Sequence, residues 1–301
     1  MNVITMGVHV LDVLVRPVEA IPDGQGSVLV EGIEMSAAGT AGGTALTLAK
    51  LGATVRTAGA IGTDPTGDLL VNLLRKADVD TEFLVRRDGV PTSASVLPIR
   101  PNGDRPAFHL LGANPTYSPD DVPWDALAEA DHLHLGGPEL LGPDNATRIL
   151  RFAREHGVST SVDLLAPGSL GSFALIEPFL PYVDYFLPNE DQVLGFTGES
   201  GLDGGCAKLV AAGVGVVAVT RGGDGARVVT AAGGSDVPAF DVKVVDTTGC
   251  GDAFSAGFVV GAKQGREPHD AAVLGCAAAA LVAQGLGSAY GDFDLAAADA
   301  L

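Results

Sequence analysis

The chain predicts an α/β fold, a mainly parallel central sheet with helices on both faces. Three observations carry that expectation. Short apolar runs alternate with helical patterns over most of the 301 residues. The final third closes in two helices of small residues. Only two stretches, 27–36 and 92–111, read as strands with no helix between them.

Taken in order, residues 3–10 read as a buried first strand and 42–51 as a helix, its apolar side at Leu46, its exposed side at Lys50, closed by Gly52. Residues 55–61 form a strand. Asp64 then caps a helix with Pro65 at its first position and an apolar stripe of Leu69, Leu70, Leu73 and Leu74. Ser118-Pro119-Asp120-Asp121 opens another helix as a capping box. Further strands fall at 132–135, 159–164, 185–187, 216–220 and 226–229, and the closing helices at 253–263 and 270–284. The helix-free strands, with a turn at Pro101-Asn102-Gly103-Asp104, make a small sheet at one end. We expect a single domain, 1–301, with a β lid formed by about 13–37 and 88–112 inserted in the α/β core. The same strands could equally serve as an edge extension or dimer contact.

Composition narrows the function. With 47% hydrophobic and 18% charged residues, the chain can build a full core and is not a disordered one. A net charge of −19 with five lysines argues against nucleic acid or an anionic membrane as partner, since both reward clustered Lys and Arg. A protein this acidic needs local devices to hold a phosphate ester: helix N-termini, a metal or one well-placed arginine. Three scattered cysteines, Cys206, Cys250 and Cys276, suggest no zinc site and a reducing compartment. The N-terminal apolar run lacks a basic leader and is interrupted by Asp12, so no signal peptide is expected. The run 271–283 is too short to span a bilayer. A cytoplasmic location is the expectation.

The most informative segment is 245–254, where an extended stretch turns through Gly249 and Gly251 into a small-residue helix. A helix start presents free amides and the positive end of the macrodipole, and glycine lets a ligand approach the backbone. Asp252 on such an anion site is costly unless a carboxylate is wanted there, to take the proton of an alcohol attacking a phosphate. The plainer alternative is an N-cap, for which Asp is among the best residues.

Several motifs occurring in order resemble the ribokinase-like (PfkB-type) carbohydrate kinases over nearly the whole chain. Asp246-Thr247-Thr248-Gly249-Cys250-Gly251-Asp252-Ala253-Phe254 is similar to the family's C-terminal signature. Gly62-Thr63-Asp64-Pro65-Thr66-Gly67 is similar to its Gly-x-Asp-x-x-Gly helix opening, and Gly7 with Asp12 to the end of its first strand. Gly112-Ala113-Asn114 resembles the segment leaving the lid, and Thr220-x-Gly222-x-x-Gly225 the nucleotide-side turn. The resemblance implies a three-layer sandwich with a β lid, and phosphorylation of a hydroxyl on a small sugar by ATP with Mg2+. It implies Asp252 as general base and the Gly249, Cys250 and Gly251 amides as the anion hole. Asp12, Gly39, Thr40, Gly43 and Asn114 would meet the acceptor, and Asn189, Thr220, Gly222 and Gly225 the nucleotide. Asp246 and the Thr248 carbonyl fall where some members hold a monovalent cation such as K+. A homodimer through the lid is the partner that the dimer-contact reading of the lid strands would give. Cys250 has no neighbouring base or second thiol, so only its amide is expected to matter.

The chain departs from the family's pattern in three places. Asn189-Glu190-Asp191-Gln192 carries Gln where a Glu organises magnesium, so metal use is expected to change or to pass to Glu190 or Asp191. Ala38-Gly39-Thr40-Ala41-Gly42-Gly43 replaces the ribokinase lysine with Thr40 and asparagine with Gly43, which predicts a roomier acceptor floor. Asp163-Leu164-Leu165-Ala166 lacks the Asp-x-Asn-x-Arg run of many fructokinases. His109, on a lid strand, is expected to be solvated rather than bound to substrate. Two other functions stay open: a nucleoside kinase, which the roomier floor would suit, and a non-catalytic sugar- or nucleotide-binding relative.

Overall fold

The computed structural model describes all 301 residues. In chain order its first half contains β1 (Asn2–Gly7), β2 (Val10–Arg16), β3 (Gly32–Ala38), α1 (Gly42–Lys50), β4 (Thr54–Gly62), α2 (Pro65–Lys76), β5 (Val79–Arg87), β6 (Ala94–Pro98), β7 (Phe108–Leu110), α3 (Trp124–Ala128), β8 (His132–Gly136) and α4 (Pro143–Glu155). The second half contains β9 (Ser159–Asp163), α5 (Phe173–Ile176), β10 (Tyr185–Phe186), α6 (Glu190–Thr197), α7 (Leu202–Ala211), β11 (Val216–Thr220), β12 (Ala226–Thr230), β13 (Gly233–Val237), α8 (Cys250–Lys263), α9 (Pro268–Val282) and α10 (Leu295–Asp299).

Nine strands form one sheet in the order β13-β12-β11-β10-β9-β8-β1-β4-β5. All its neighbours run parallel except β11–β12 and β12–β13. Strand alternation sends Val3, Val55 and Ala218 to the face covered by α1, α8 and α9, and Ile4, Ala58, Val217 and Val219 to the face covered by α4, α6 and α7. Two separate apolar cores result, one on each side of the sheet, giving three layers. The strand order reverses at β1/β8, and ligands of open α/β sheets settle outside the carboxyl ends of the strands at such a point. No helix is long and apolar enough to cross a membrane.

The second sheet, of four strands in the order β3-β2-β6-β7, stands at that end. It accounts for a break the sequence hides. The apolar run 3–10 is not one strand: β1 ends at Gly7, and after Val8 and His9 the chain enters the small sheet as β2. Gly7 sits at φ +124°, and a Cβ there would stand 3.0 Å from the Gly136 carbonyl carbon, so only glycine permits the turn against β8. Asn114 closes the base of this sheet. Its carboxamide accepts from the His9 amide at 3.0 Å and donates to the His9 carbonyl at 2.9 Å, tying the exit of the sheet to its entrance.

Other expectations shift by local chemistry. The Ser118 capping box is formed, but Pro119–Asp121 makes a single 3-10 turn and α3 starts only at Trp124. Asp64 accepts from the Gly67 amide at 3.0 Å as its cap role requires. Helix α8 starts at Cys250, not near Ala253, with Gly249 at its N-cap in left-handed geometry. Asp252 is therefore inside the first turn.

Candidate active site

The carboxyl ends of β1, β8 and β9, the start of α1, the start of α8 and the inner face of the small sheet meet at one cleft. At its α8 end the turn at Gly249 leaves the amides of Gly249, Gly251 and Asp252 without a protein partner, whereas the Cys250 amide donates back to the Thr247 carbonyl at 3.2 Å. This corrects the expected anion hole: Asp252 takes the place of Cys250 among the free donors. A Cβ on Gly251 would meet nothing within 4 Å, so the amides face open space. The Cys250 thiol is pushed up to about 12 by burial and then by Asp246, so it stays protonated and donates to the Ala279 carbonyl.

Asp252 makes no side-chain hydrogen bond, so it is not a cap. Its pKa is pushed up to about 7 by burial first and by the charge of Asp12 second, with Arg105 opposing. Asp12 comes from β2 and is itself raised to about 6, mainly by burial. Register sets Ser36, Asp12, Ser95 and His109 side by side across the small sheet, all on the inner face. His109 bonds Ser95 through Nδ1 at 3.0 Å and is otherwise exposed, as expected of a solvated strand histidine.

The acceptor floor differs from the sequence expectation. Gly43 does not open a roomier pocket, because Asp252 fills the space. A Cβ on Gly43 would collide with Asp252 Oδ2 and stand 2.7 Å from its Cγ. The missing side chain is what lets the base reach its position. Gly39, at φ +87°, turns the chain tightly against the Val8 carbonyl. Thr40 stands at the floor with a buried hydroxyl that has no partner. Asn114, expected to touch the acceptor, is 4% exposed and engaged by His9, so its part is to hold the base of the small sheet.

Along the other arm lies a cleft of about 380 Å³ lined by Asn189, Thr220, Gly222, Gly225, Phe240, Gly251 and others, a size suited to a small ligand. Gly222 faces open space, while a Cβ on Gly225 would sit 2.6 Å from the Ala239 amide, so Gly225 is required by the turn itself. Asn189 Oδ1 caps α6 through the Gln192 amide at 2.8 Å. Gln192 returns the bond to the Asn189 amide and donates to the Leu164 and Ala166 carbonyls, a structural use with nothing offered to a metal. Of its neighbours, Asp191 accepts from the Gly168 amide at 2.9 Å and Glu190 lies 3.8 Å from Arg221.

Near the anion turn, both carboxylate oxygens of Asp246 are taken, by Thr248 and by the Gly287 amide. A monovalent cation there would rest on backbone carbonyls, with Asp246 bracing the loop. No group of three or more His, Cys, Asp or Glu side chains is poised for a metal.

Two residues escaped the sequence reading. Arg105, beyond the Pro101–Asp104 turn, donates to Thr247 Oγ1 at 3.2 Å and is the cation felt by Asp12, Asp252 and Cys250. It is the well-placed arginine an acidic chain needs, invisible because its partners are 142 residues away. Glu139, after β8, accepts from the Leu165 and Ala166 amides and leaves its other oxygen unpartnered. With Asp252 it raises the pKa of Asp163 beyond what burial already does.

A glycine-turned anion site, a carboxylate aimed across it and a second ligand arm define a two-substrate group-transfer enzyme of the three-layer α/β class. The model of the pfkB family carbohydrate kinases matches residues 7–293, and the chain belongs to that family. It is 32% identical over 253 residues to an ATP-dependent ribose-1-phosphate kinase of Halopiger xanaduensis, covering 82% of this chain and 80% of that protein. An adenosine kinase of Schizosaccharomyces pombe is 28% identical over 240 residues, 72% and 70% of the two chains. Among solved structures, Arabidopsis thaliana ribokinase with ribose and ATP superposes with a TM-score of 0.83 at 21% identity, covering 99% and 97%. An E. coli protein bound to ATP and Mg2+ gives 0.86 at 22% identity, covering 99% and 98%. The ribokinase-like three-layer fold follows from these matches.

Proposed function

We propose that this kinase transfers the terminal phosphoryl group of ATP to a hydroxyl of a small sugar or sugar derivative. The observation that carries this reading is Asp252, a carboxylate with no hydrogen-bond partner beside three unclaimed amides and opposite Asp12. Phosphoryl transfer needs charge stabilisation and positioning more than a strong base. Asp252 takes the proton of the attacking hydroxyl, and Asp12 and the Thr40 hydroxyl orient the acceptor. The Gly249, Gly251 and Asp252 amides and Arg105 face the charge on the transferring group. Thr220, Gly222 and the Asn189 backbone line the nucleotide arm. Mg2+ would neutralise the phosphates, and with few free carboxylates nearby it would be carried chiefly by phosphate and water oxygens.

A sugar or sugar phosphate is favoured over a nucleoside because the space that a bare Gly43 was expected to leave is occupied. The test is ADP release from ATP with D-ribose, D-ribose 1-phosphate, D-fructose and adenosine. Release with one of them supports the reading. No release with any, while a ligand still raises Tm, would make this a binding protein. Asp12→Ala should raise the acceptor KM about tenfold with little change in the KM for ATP.

A homodimer through the small sheet belongs to the same proposal. Its outer face lines up Met35, Val96 and Phe108, all exposed, on the side away from Asp12. Sedimentation of Phe108→Glu as monomer, against a dimeric parent, would support it; a monomeric parent would refute it.

A further inference from the structure

Beneath the acceptor floor lies a polar seam that the chemistry above does not use. His132 and His134 on β8 and Ser159 and Ser161 on β9 are paired in register, on the sheet face covered by α1 and α8. His132 Nδ1 lies 2.8 Å from Ser159 Oγ, and His132 Nε2 lies 2.8 Å from Ser161 Oγ. The same Ser161 Oγ lies 2.8 Å from His134 Nδ1, and His134 Nε2 lies 3.0 Å from the Thr40 carbonyl. At the far end, Lys263 Nζ reaches Ser159 Oγ at 3.2 Å and the Asp131 carbonyl at 2.9 Å.

Counting protons gives the seam a direction. A carbonyl only accepts, so His134 Nε2 donates to Thr40. Burial holds His134 down at about 4 and His132 well below its ordinary value, so both rings are neutral. His134 Nδ1 must then accept, and Ser161 supplies its single proton. Ser161 in turn accepts from His132 Nε2–H, which leaves His132 Nδ1 to accept from Ser159. The Ser159 hydroxyl also lies 3.0 Å from the Asp131 carbonyl, but Lys263 serves that carbonyl at 2.9 Å and donates to Ser159 Oγ as well, which frees the one Ser159 proton for the nearer His132 Nδ1. The chain runs one way, from an ammonium at the end of α8 to a carbonyl at the start of α1, and such chains polarise each member.

That carbonyl matters because of what surrounds it. Thr40 also receives the Thr44 hydroxyl at 2.8 Å, so its peptide is fixed from two sides. Its own hydroxyl lies unpartnered in a slot against bare Gly136, where a Cβ would stand 2.7 Å from it. Three residues on, Gly43 supports Asp252. Helix α8 is thus tied to this floor at both ends, by Asp252 on Gly43 and by Lys263 on Ser159.

We infer that His134 is a positioning residue for the acceptor. Backed by Ser161, His132, Ser159 and Lys263, it holds the Thr40 peptide so that the Thr40 hydroxyl and Gly43 keep their places in the site. This rests on reading Thr40–Gly43 as the acceptor floor, and the two can fail separately.

The first test needs no acceptor. Histidine-15N NMR of the full chain should show His132 and His134 neutral and protonated on Nε2, with both signals shifted by Lys263→Met. An Nδ1–H tautomer at His134, or signals indifferent to Lys263, overturns the chain. The second test uses the same four acceptors, D-ribose, D-ribose 1-phosphate, D-fructose and adenosine. With whichever the parent phosphorylates, His134→Leu should raise the acceptor KM about tenfold and leave the KM for ATP within about twofold. His134→Gln, which can still accept from Ser161 and donate to Thr40, should recover most of the loss. A folded His134→Leu with an unchanged acceptor KM, or both KM values rising together, overturns the positioning role. If the parent phosphorylates none of the four, the acceptor reading of the site falls, and the tautomer result alone decides whether Lys263 polarises the seam.

Discussion

The two ends of the cleft are built from different materials. At the α8 end the working groups are backbone amides, released by a left-handed Gly249 and exposed beside a bare Gly251. At the β1–α1 end they are side chains, Asp12 and Thr40, placed by register across a small sheet and by a seam of histidines beneath the floor. Backbone donors tolerate replacement of neighbouring side chains, so the first end rests on its glycines, one carboxylate and the Arg105 guanidinium beside them. Side-chain recognition depends on every supporting contact, so under the proposed function specificity is set at the second end.

The sharpest way to break this contrast is Asp252→Asn, at the carboxylate of the backbone-built end. Turnover should fall about 10³-fold with ATP affinity nearly unchanged. The same change should raise thermal stability. A carboxyl whose pKa is raised on folding supports the fold when protonated, and that support is lost as pH rises through about 7. Asn keeps the neutral form at every pH, so Tm measured at pH 8 should increase. Near-parental turnover would end the assignment of Asp252 as base.

Gly43→Ala tests where the two ends touch. Its methyl would displace the Asp252 carboxylate, and misplacement of that order should lower kcat about 10²-fold in a folded protein. Circular dichroism would verify the fold. An active Gly43→Ala enzyme would mean that Asp252 works from another position.

The pH dependence is a milder probe. Asp12 is raised to about 6 and Asp252 to about 7, the latter partly by the charge of Asp12. Since the base must be ionised, kcat/KM should fall as pH drops below about 7, by about tenfold per unit. Asp12→Asn should move that limb to lower pH by removing the neighbouring charge. A flat profile between pH 5 and 8 would contradict the coupling.

Smallest of all should be Cys250→Ala. With its thiol protonated and its amide directed to Thr247, activity should stay within about twofold of the parent. A collapse in turnover with an intact fold would give the thiol a role that its surroundings do not support.

Much of the fold was legible because it is written in short range. Apolar runs at β8, β9 and β11, the Asp64–Pro65 cap and the small-residue helices α8 and α9 each carry their own signal within a dozen residues. The split of 3–10 into β1 and β2 was not legible, because the run is apolar throughout and the break is imposed by contact between Gly7 and Gly136. Edge strands β5 and β13 escaped for a related reason: Val79–Arg87 and Gly233–Val237 are polar enough to read as loop.

The site divides in the same way. By itself the sequence determined the reaction end, because a Gly-x-Gly-Asp turn before a helix makes its anion site from consecutive residues. It also contained the family resemblance that placed Asp12 and Thr220 on the two arms. Only the tertiary structure decided which amides are free, that Asp252 fills the space left by Gly43, that Asn114 and Gln192 are engaged by protein partners, and that Arg105 and the His132–His134 seam lie next to Thr247 and Thr40. Those outcomes depend on contacts between residues far apart in the chain. Asp252 meets Gly43, and His134 meets Thr40, only after the sheet has ordered its strands, and no local pattern records such a meeting.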